Sequence, residues 1–212
     1  MTTSIAKHLL SIRAIFLRPE EPFIWASGIK SPIYCDNRLI LSFPNVRIDV
    51  ENALASTIKT HFPECQMIMG TSTAGIAHAA LVAERLNLPM GYVRGGAKDH
   101  GRKNQIEGYM PKNTKVVVIE DLISTGGSVL EVVNILKNNG AEVLGIASIF
   151  TYQMAKSEQA FIDANIKNYS LTNFDAVIEA AVEEEYIKIS DVNKLKHFRD
   201  NPKDERWIHI SE

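Results

Sequence analysis

Cysteine is scarce in this chain. Cys35 and Cys65 are the two in 212 residues, at a spacing that suits neither a disulfide framework nor a metal site, so reduced thiols in a cytoplasm are the simple account. A basic excess is also missing: the formal net charge is −2, which argues against a general nucleic-acid binder. No apolar run approaches the length of a membrane span, and the N-terminal stretch from Ile5 to Phe16 is broken by Lys7, His8 and Arg13, unlike a secretory signal. There is no internal repeat, low-complexity tract or Pro/Gly-rich linker, so nothing divides residues 1–212, a length suited to one generous domain. Two familiar phosphate signatures are absent as well: no G-x-x-x-x-G-K-[ST] occurs, and no G-x-G-x-x-G follows a strand.

What is present centres on Lys115 to Ser128. Val116-Val117-Val118-Ile119 is a short β-branched run of the kind buried on both faces of a parallel sheet. Glu120 and Asp121 follow, placed where that strand is expected to emerge. After Leu122-Ile123 comes Ser124-Thr125-Gly126-Gly127-Ser128, then an amphipathic helix to Asn138 closed by Asn139-Gly140. A strand, a loop of small residues and a helix N-terminus form an anion site, because free N–H groups and the positive end of the dipole face the loop. Ser124, Thr125 and Ser128 add hydroxyl donors, and the glycines let the backbone close around a phosphate. Taken alone, the serines and glycines equally suit an ordinary capped strand–turn–helix. The acidic pair changes the reading: carboxylates do not help hold a phosphate, but they are strong acceptors for sugar hydroxyls. Such a loop would hold a phosphate together with the ribose that carries it.

The rest of the chain sets this stretch in an alternating pattern. Residues 3–13 suit a short amphipathic helix, and a second helix is expected from Pro44 towards His61 with Val46, Val50, Leu54 and Ile58 inward. From Cys65 the rhythm is strand then helix: Met67–Met69 and Ala74–Leu86, Met90–Val93, Val116–Ile119 and Ser128–Asn138, Val143–Phe150 and Lys156–Asn165. Tyr169–Leu171 and helices over Asn173–Tyr186 and Asp191–Phe198 complete it. This predicts an α/β fold, a mostly parallel central sheet flanked by helices, with ligands at the carboxyl ends of the strands.

Three other segments belong at that end. Gly70-Thr71-Ser72-Thr73-Ala74 is again small, hydroxyl-rich and followed by a helix; a plain N-cap is an equal reading of it in isolation. His78, inside that helix, reads as a packed histidine rather than a catalytic one. Arg94 to Gly108 is long and nearly devoid of apolar residues, with Arg94, Lys98, His100, Arg102 and Lys103 close together, as suits either a solvated loop or a cationic lid over an anionic substrate. Trp25 to Arg38 is β-prone and turn-rich, with Tyr34 readable as a routine partly buried aromatic.

In company these segments resemble, in order along nearly the whole chain, those of the orotate phosphoribosyltransferases. The strand, acidic pair and Ser/Thr-Gly loop resemble the phosphoribosyl diphosphate (PRPP) signature of type I phosphoribosyltransferases. Ala97-Lys98-Asp99-His100-Gly101 resembles the catalytic loop, and Ser27-Gly28-Ile29-Lys30-Ser31-Pro32-Ile33-Tyr34 the segment that covers the pyrimidine. The resemblance implies transfer of phosphoribose from PRPP to orotate, with Mg²⁺ held mainly by PRPP and water. It implies one domain with a hood over about residues 15–42, a mobile catalytic loop over about 94–108, and a homodimer that shares this loop between subunits.

By position, Glu120 and Asp121 would hold the ribose hydroxyls, and the stretch Leu122, Ile123, Ser124, Thr125, Gly126, Gly127, Ser128 would surround the 5′-phosphate. Thr71, Ser72 and Thr73 would form a pyrophosphate loop, Tyr34 would flank the base, and Arg94, Lys98 and His100 would contact the pyrophosphate, with Asp121 counted among the catalytic groups. The chain departs from better-known members at Ala26, Ala74, Gly95 and near Thr151-Tyr152, where those carry cations; Lys30, Arg38, Arg102 and Lys103 are the candidates to compensate. The rival readings are transfer to another base and a PRPP-binding regulator. A regulator needs a nucleic-acid-binding element, and no winged helix fits before residue 3.

Overall fold

The computed structural model describes residues 2–25, 28–95 and 105–210. Helix α1 (Thr2–Ser11) leads into four short strands, β1 (Ile15–Leu17), β2 (Phe23–Ile24), β3 (Lys30–Ser31) and β4 (Ile33–Cys35). These pair as two antiparallel ribbons, β1 with β4 and β2 with β3. A 3₁₀ helix over Asn37–Ser42 then meets α2 (Pro44–His61), which has Pro44 at its first turn and Val46, Val50, Leu54 and Ile58 buried as the spacing predicts.

The central layer follows. Strands β5 (Met67–Thr71), β6 (Met90–Val93), β7 (Ile106–Glu107), β8 (Lys115–Ile123), β9 (Glu142–Thr151) and β10 (Asn168–Asn173) form one sheet in the order β10-β9-β8-β5-β6-β7. Every pairing is parallel except β6 with the edge strand β7. Helices α3 (Ala74–Leu86), α4 (Gly127–Asn138) and α5 (Ala155–Asp163) alternate with the strands, and α6 (Phe174–Glu183), α7 (Asp191–Asp200) and a 3₁₀ turn (Glu205–His209) close the chain.

The side chains of β8 explain why its apolar run is continuous rather than alternating. Val117 and Ile119 enter a core shared with α1, α2, α3 and α6, whereas Val116 and Val118 enter one shared with α4 and α5. Burial on both faces requires apolar residues at every position. The strand order places the site. From β5 the chain moves outward to β6, then returns across β5 to lay down β8, β9 and β10 on the other side. The loops leaving β5 and β8 therefore diverge to opposite faces and open a crevice at their carboxyl ends.

One expectation needs correction. Glu120 and Asp121 do not emerge from the strand: β8 runs on to Ile123 because its ladder with β9 continues through Leu122↔Phe150 and Ile123↔Thr151. Its ladder with β5 stops at Gly70↔Ile119. The acidic pair thus stands on an overhanging strand with one neighbour, not in a loop. Small elements without a periodic signature were also not foreseen, among them β7, the Asn37–Ser42 turn and the Glu205–His209 turn. The last of these buries Trp207 completely against Phe198.

Candidate active site

Two strand–loop–helix units, β5 with α3 and β8 with α4, stand side by side at the carboxyl edge of the sheet. On β8, Glu120 is buried, and its Oε1 accepts from the Thr71 hydroxyl at 2.8 Å and from the Asp121 amide at 3.0 Å. Burial, reinforced by the hydrogen bond and negative charge of Asp121, pushes the Glu120 carboxyl up to about 8. Asp121 is half-exposed. Its carbonyl accepts from Asn37 Nδ2 at 2.7 Å, so the side of β8 that has lost β5 is held by the Asn37–Ser42 turn. Asn37 is itself buried and accepts from the Cys35 thiol at 3.3 Å. Burial pushes that thiol well above its usual range, with the negative charges of Asp121 and Asp36 adding to the effect. Asn37 had no signal in the sequence beyond its position just after β4.

Leu122 is half-buried against the core, and Ile123 is buried with its carbonyl accepting from the Tyr152 amide at 2.9 Å. These two anchor the loop; Ser124 to Ser128 form its open part. Gly126 has φ +78°, a left-handed conformation, and a Cβ there would meet the Phe161 ring at 3.2 Å. Gly127 begins α4, and a Cβ added to it would find nothing within 4 Å among the described residues. The helix has no side-chain cap, and its first ladder bond runs from the Leu130 amide to the Gly126 carbonyl. The amides of the first turn therefore face the loop opening, as an anion requires.

The loop after β5 is built differently. Thr71 is buried and spends its hydroxyl on Glu120. Ser72 Oγ accepts from the Gly95 amide at 2.7 Å, tying this loop to the start of the 94–108 segment. The Ser72–Thr73 peptide is cis, and Thr73 is exposed at the N-cap of α3 without a side-chain cap bond. His78 is fully buried, its Nδ1 2.6 Å from Glu51 Oε1 of α2, in keeping with a packed histidine.

Arg94 Nε lies 2.9 Å from Glu107 Oε1, and the Arg94 amide donates to the Gln105 carbonyl at 2.9 Å, which brings the two ends of the long segment together. Lys98, His100, Arg102 and Lys103 lie outside the described residues, as does Ala26. Tyr34 is 40 % exposed on β4 with its ring against Phe23 at 5.7 Å. Hydrogen bonds thus join Thr71, Glu120 and Asp121 at the carboxyl ends of β5 and β8, and the Ser124–Ser128 loop follows directly on β8. Among the described residues no group of three or more His, Cys, Asp or Glu side chains could cage a metal ion.

A family model described as "Phosphoribosyl transferase domain" matches residues 38–186, a span that holds both loops. The chain is 58 % identical to an orotate phosphoribosyltransferase of Bacillus subtilis over 204 residues, covering 96 % of this chain and 94 % of that protein. It is 57 % identical to one of Bacillus pumilus, over 98 % of each. Among solved structures, an orotate phosphoribosyltransferase from Aeropyrum pernix superposes with a TM-score of 0.75 at 27 % identity, covering 86 % of this chain and 99 % of that one. Strand order, loop chemistry and near full-length identity agree: the chain belongs to the orotate phosphoribosyltransferase family, of type I phosphoribosyltransferase fold.

Proposed function

We propose that the protein transfers the ribose 5-phosphate group of PRPP to orotate, giving orotidine 5′-monophosphate and pyrophosphate. The observation that carries this reading is the join of two chemistries in one unit: an acidic pair on β8 runs directly into an uncapped helix N-terminus lined by hydroxyls. The near full-length relatives named for this activity support the choice of base.

In this reading, the first-turn amides of α4 and the hydroxyls of Ser124, Thr125 and Ser128 hold the 5′-phosphate. Asp121 and Glu120 accept from the ribose hydroxyls. A carboxylate beside the ribosyl centre also favours the cation-like character that develops as the leaving group departs. Thr73 and the loop backbone after Thr71 receive the pyrophosphate. Lys98, with Arg94 and His100, stabilises its departure, and closure of the 94–108 segment excludes water. Tyr34 and the 15–42 hood cover the base. The donors at the crevice are hard oxygens and few, which suits a Mg²⁺ ion held by PRPP and water with Asp121 nearby. A Mg²⁺ ion held that way would supply charge neutralisation to the leaving pyrophosphate. The reading extends to one domain over residues 1–212 and a cytoplasmic homodimer. No helix of the described residues is long and apolar enough to cross a membrane.

The test is pyrophosphate release with PRPP, Mg²⁺ and a panel of bases. Orotate is expected to be consumed and uracil and hypoxanthine to react far more slowly; a purine turned over as fast as orotate overturns the assignment. Asp121→Asn is expected to keep the fold and lower kcat/KM by about tenfold to a hundredfold, the scale of ~1.4 to ~2.8 kcal/mol. Mixing it with Lys98→Ala tests the shared loop. Equal amounts with free subunit exchange make about half the dimers mixed, each with one rebuilt site, so about a quarter of wild-type activity returns. No recovery after proven exchange rules out sharing.

A further inference from the structure

A carboxylated base that leaves water needs a positive partner. The positions where related enzymes were expected to carry cations supply none in the described residues. Ala74 opens α3, and the Gly95 amide is engaged by Ser72. The Thr151 hydroxyl accepts from the Gln153 amide, and Tyr152 is buried among Trp25, Phe150 and Phe174. Two of the expected substitutes are committed elsewhere: Lys30 pairs with Glu205 at 2.9 Å, and Arg38 grips Asp36 through two bonds of 2.6 and 2.8 Å.

A cavity of ≈ 410 Å³ lies directly beside Ser124 and Thr125. Part of its lining is apolar, made by Trp25, Ile29 and Met154. Trp25 is fixed there by donation from its Nε1 to the Ile33 carbonyl at 3.3 Å and by edge contacts with Tyr152 and Phe198, so it offers a flat, rigid wall to a planar ring. The lining is also rich in positive charge. It carries Lys156 from the first turn of α5, and Arg199 and Lys203 from the end of α7 and beyond. Among the described residues Asp200 is the single acidic one of the lining, and Arg199 already binds it at 2.8 Å and Asp175 at 2.6 Å. Lys156 and Lys203 have no ion-pair partner among the described residues. The start of α5, which has no side-chain cap, adds its positive end to the same cavity.

We propose that this cavity receives the carboxylate-bearing edge of the base, and that Lys156 and Lys203 make the site select a carboxylated pyrimidine over an uncarboxylated one. The inference rests on the proposed reaction. The placement agrees with it, because Ser124 borders both the cavity and the phosphate loop, so one ligand spans them. A pyrimidine without the carboxylate fits the apolar wall equally well but leaves both ammonium groups without a counter-charge. The cations come from α5 and the C-terminal segment, not from the elements where the sequence resemblance seeks them.

The experiment measures binding of orotidine 5′-monophosphate and uridine 5′-monophosphate, which differ by the carboxylate alone, by titration calorimetry. The proteins are wild type, Lys156→Gln, Lys203→Gln and the double variant. Wild type is expected to prefer the carboxylated nucleotide by about tenfold or more. The double variant is expected to lose most of that preference while its affinity for uridine 5′-monophosphate stays within about twofold. In kinetics, KM for orotate rises and KM for PRPP does not. Both lysines are exposed, so melting temperatures stay at the wild-type value. A double variant that discriminates as wild type does overturns the proposal, as does an equal loss for both nucleotides or a wild type without preference. Failure of the reaction itself is read separately: wild type would then consume no orotate in the base panel.

Discussion

The loops after β5 and β8 look alike in sequence, each a run of small hydroxyl residues between an apolar strand and a helix. In the structure they differ in how much of that chemistry the protein has already used. The Thr71–Gly75 loop is bound into the protein: Thr71 serves Glu120, Ser72 serves Gly95, and a Cβ at Gly75 would lie 2.5 Å from Thr71 Oγ1 and 2.6 Å from the Ile119 carbonyl. The Ser124–Ser128 loop is open: among the described residues a Cβ at Gly127 meets nothing within 4 Å. The first loop spends Thr71 and Ser72 on the protein and keeps Thr73 and its backbone for a ligand, whereas the second keeps all its hydroxyls. The difference teaches that hydroxyls beside a helix N-terminus do not by themselves mark a phosphate site; what matters is whether the protein has already used them.

The sharpest way to break this comparison is Gly75→Ala. The new methyl meets backbone on β8, which cannot swing aside, so the α3–β5–β8 contact must open. A loss of about 3 kcal/mol or more is expected, on the scale of overpacked cores. For a chain of this size that lowers the melting temperature by roughly 6 to 12 °C, measurable by calorimetry. A variant as stable as wild type would show that the first loop is not packed as tightly as its geometry says.

Next in size is a pH effect centred on the link between the loops. Glu120 titrates near 8 in the folded protein against an ordinary value of 4.5. Between those values the folded state binds more protons than the unfolded chain, so stability falls as pH rises from about 4.5 through about 8. Glu120→Gln removes the titration and keeps an oxygen to accept from Thr71 and Asp121. Its stability relative to wild type is therefore expected to grow with pH, by on the order of 2 kcal/mol between pH 5 and 8.5. Chemical denaturation at a series of pH values reads this directly, and parallel curves for the two proteins would contradict it.

Much of this was legible beforehand because it rests on periodicity. The limits of α2, α3 and β6 coincide with the apolar pattern, and the continuous β-branched run of β8 told of burial on both faces. The extension of β8 to Ile123 was not legible: Glu120 and Asp121 disfavour a strand locally, and it is the ladder to β9, over twenty residues away in sequence, that holds them in one. Pairings such as Asn37 with Asp121 or His78 with Glu51 escaped for the same reason, since no spacing rule connects residues 84 or 27 positions apart. The cationic lining from Lys156 and Lys203 was hidden because each lies on a surface element that reads, by itself, as solvated.

The smallest expected effect on the fold sharpens the comparison most. Gly127→Ala adds the same methyl as Gly75→Ala, at the matching place of the other loop: each glycine lies in the first turn of its helix. Here no described residue lies within 4 Å of the added carbon, and Gly127 is not one of the glycines with positive φ. Alanine is also the better helix former, so stability is expected to change by no more than about 0.5 kcal/mol. Gly127 is, however, the first residue of α4, beside the first-turn amides where the 5′-phosphate is proposed to sit. KM for PRPP is therefore expected to rise by about tenfold, or ~1.4 kcal/mol of binding, while the melting temperature stays put. Initial rates over a range of PRPP concentrations, read beside the melting curves of both alanine variants, separate the cases. A Gly127→Ala protein with wild-type KM would mean that the emptiness in front of α4 is not kept for a phosphate, and the contrast between the two loops would then be one of packing alone.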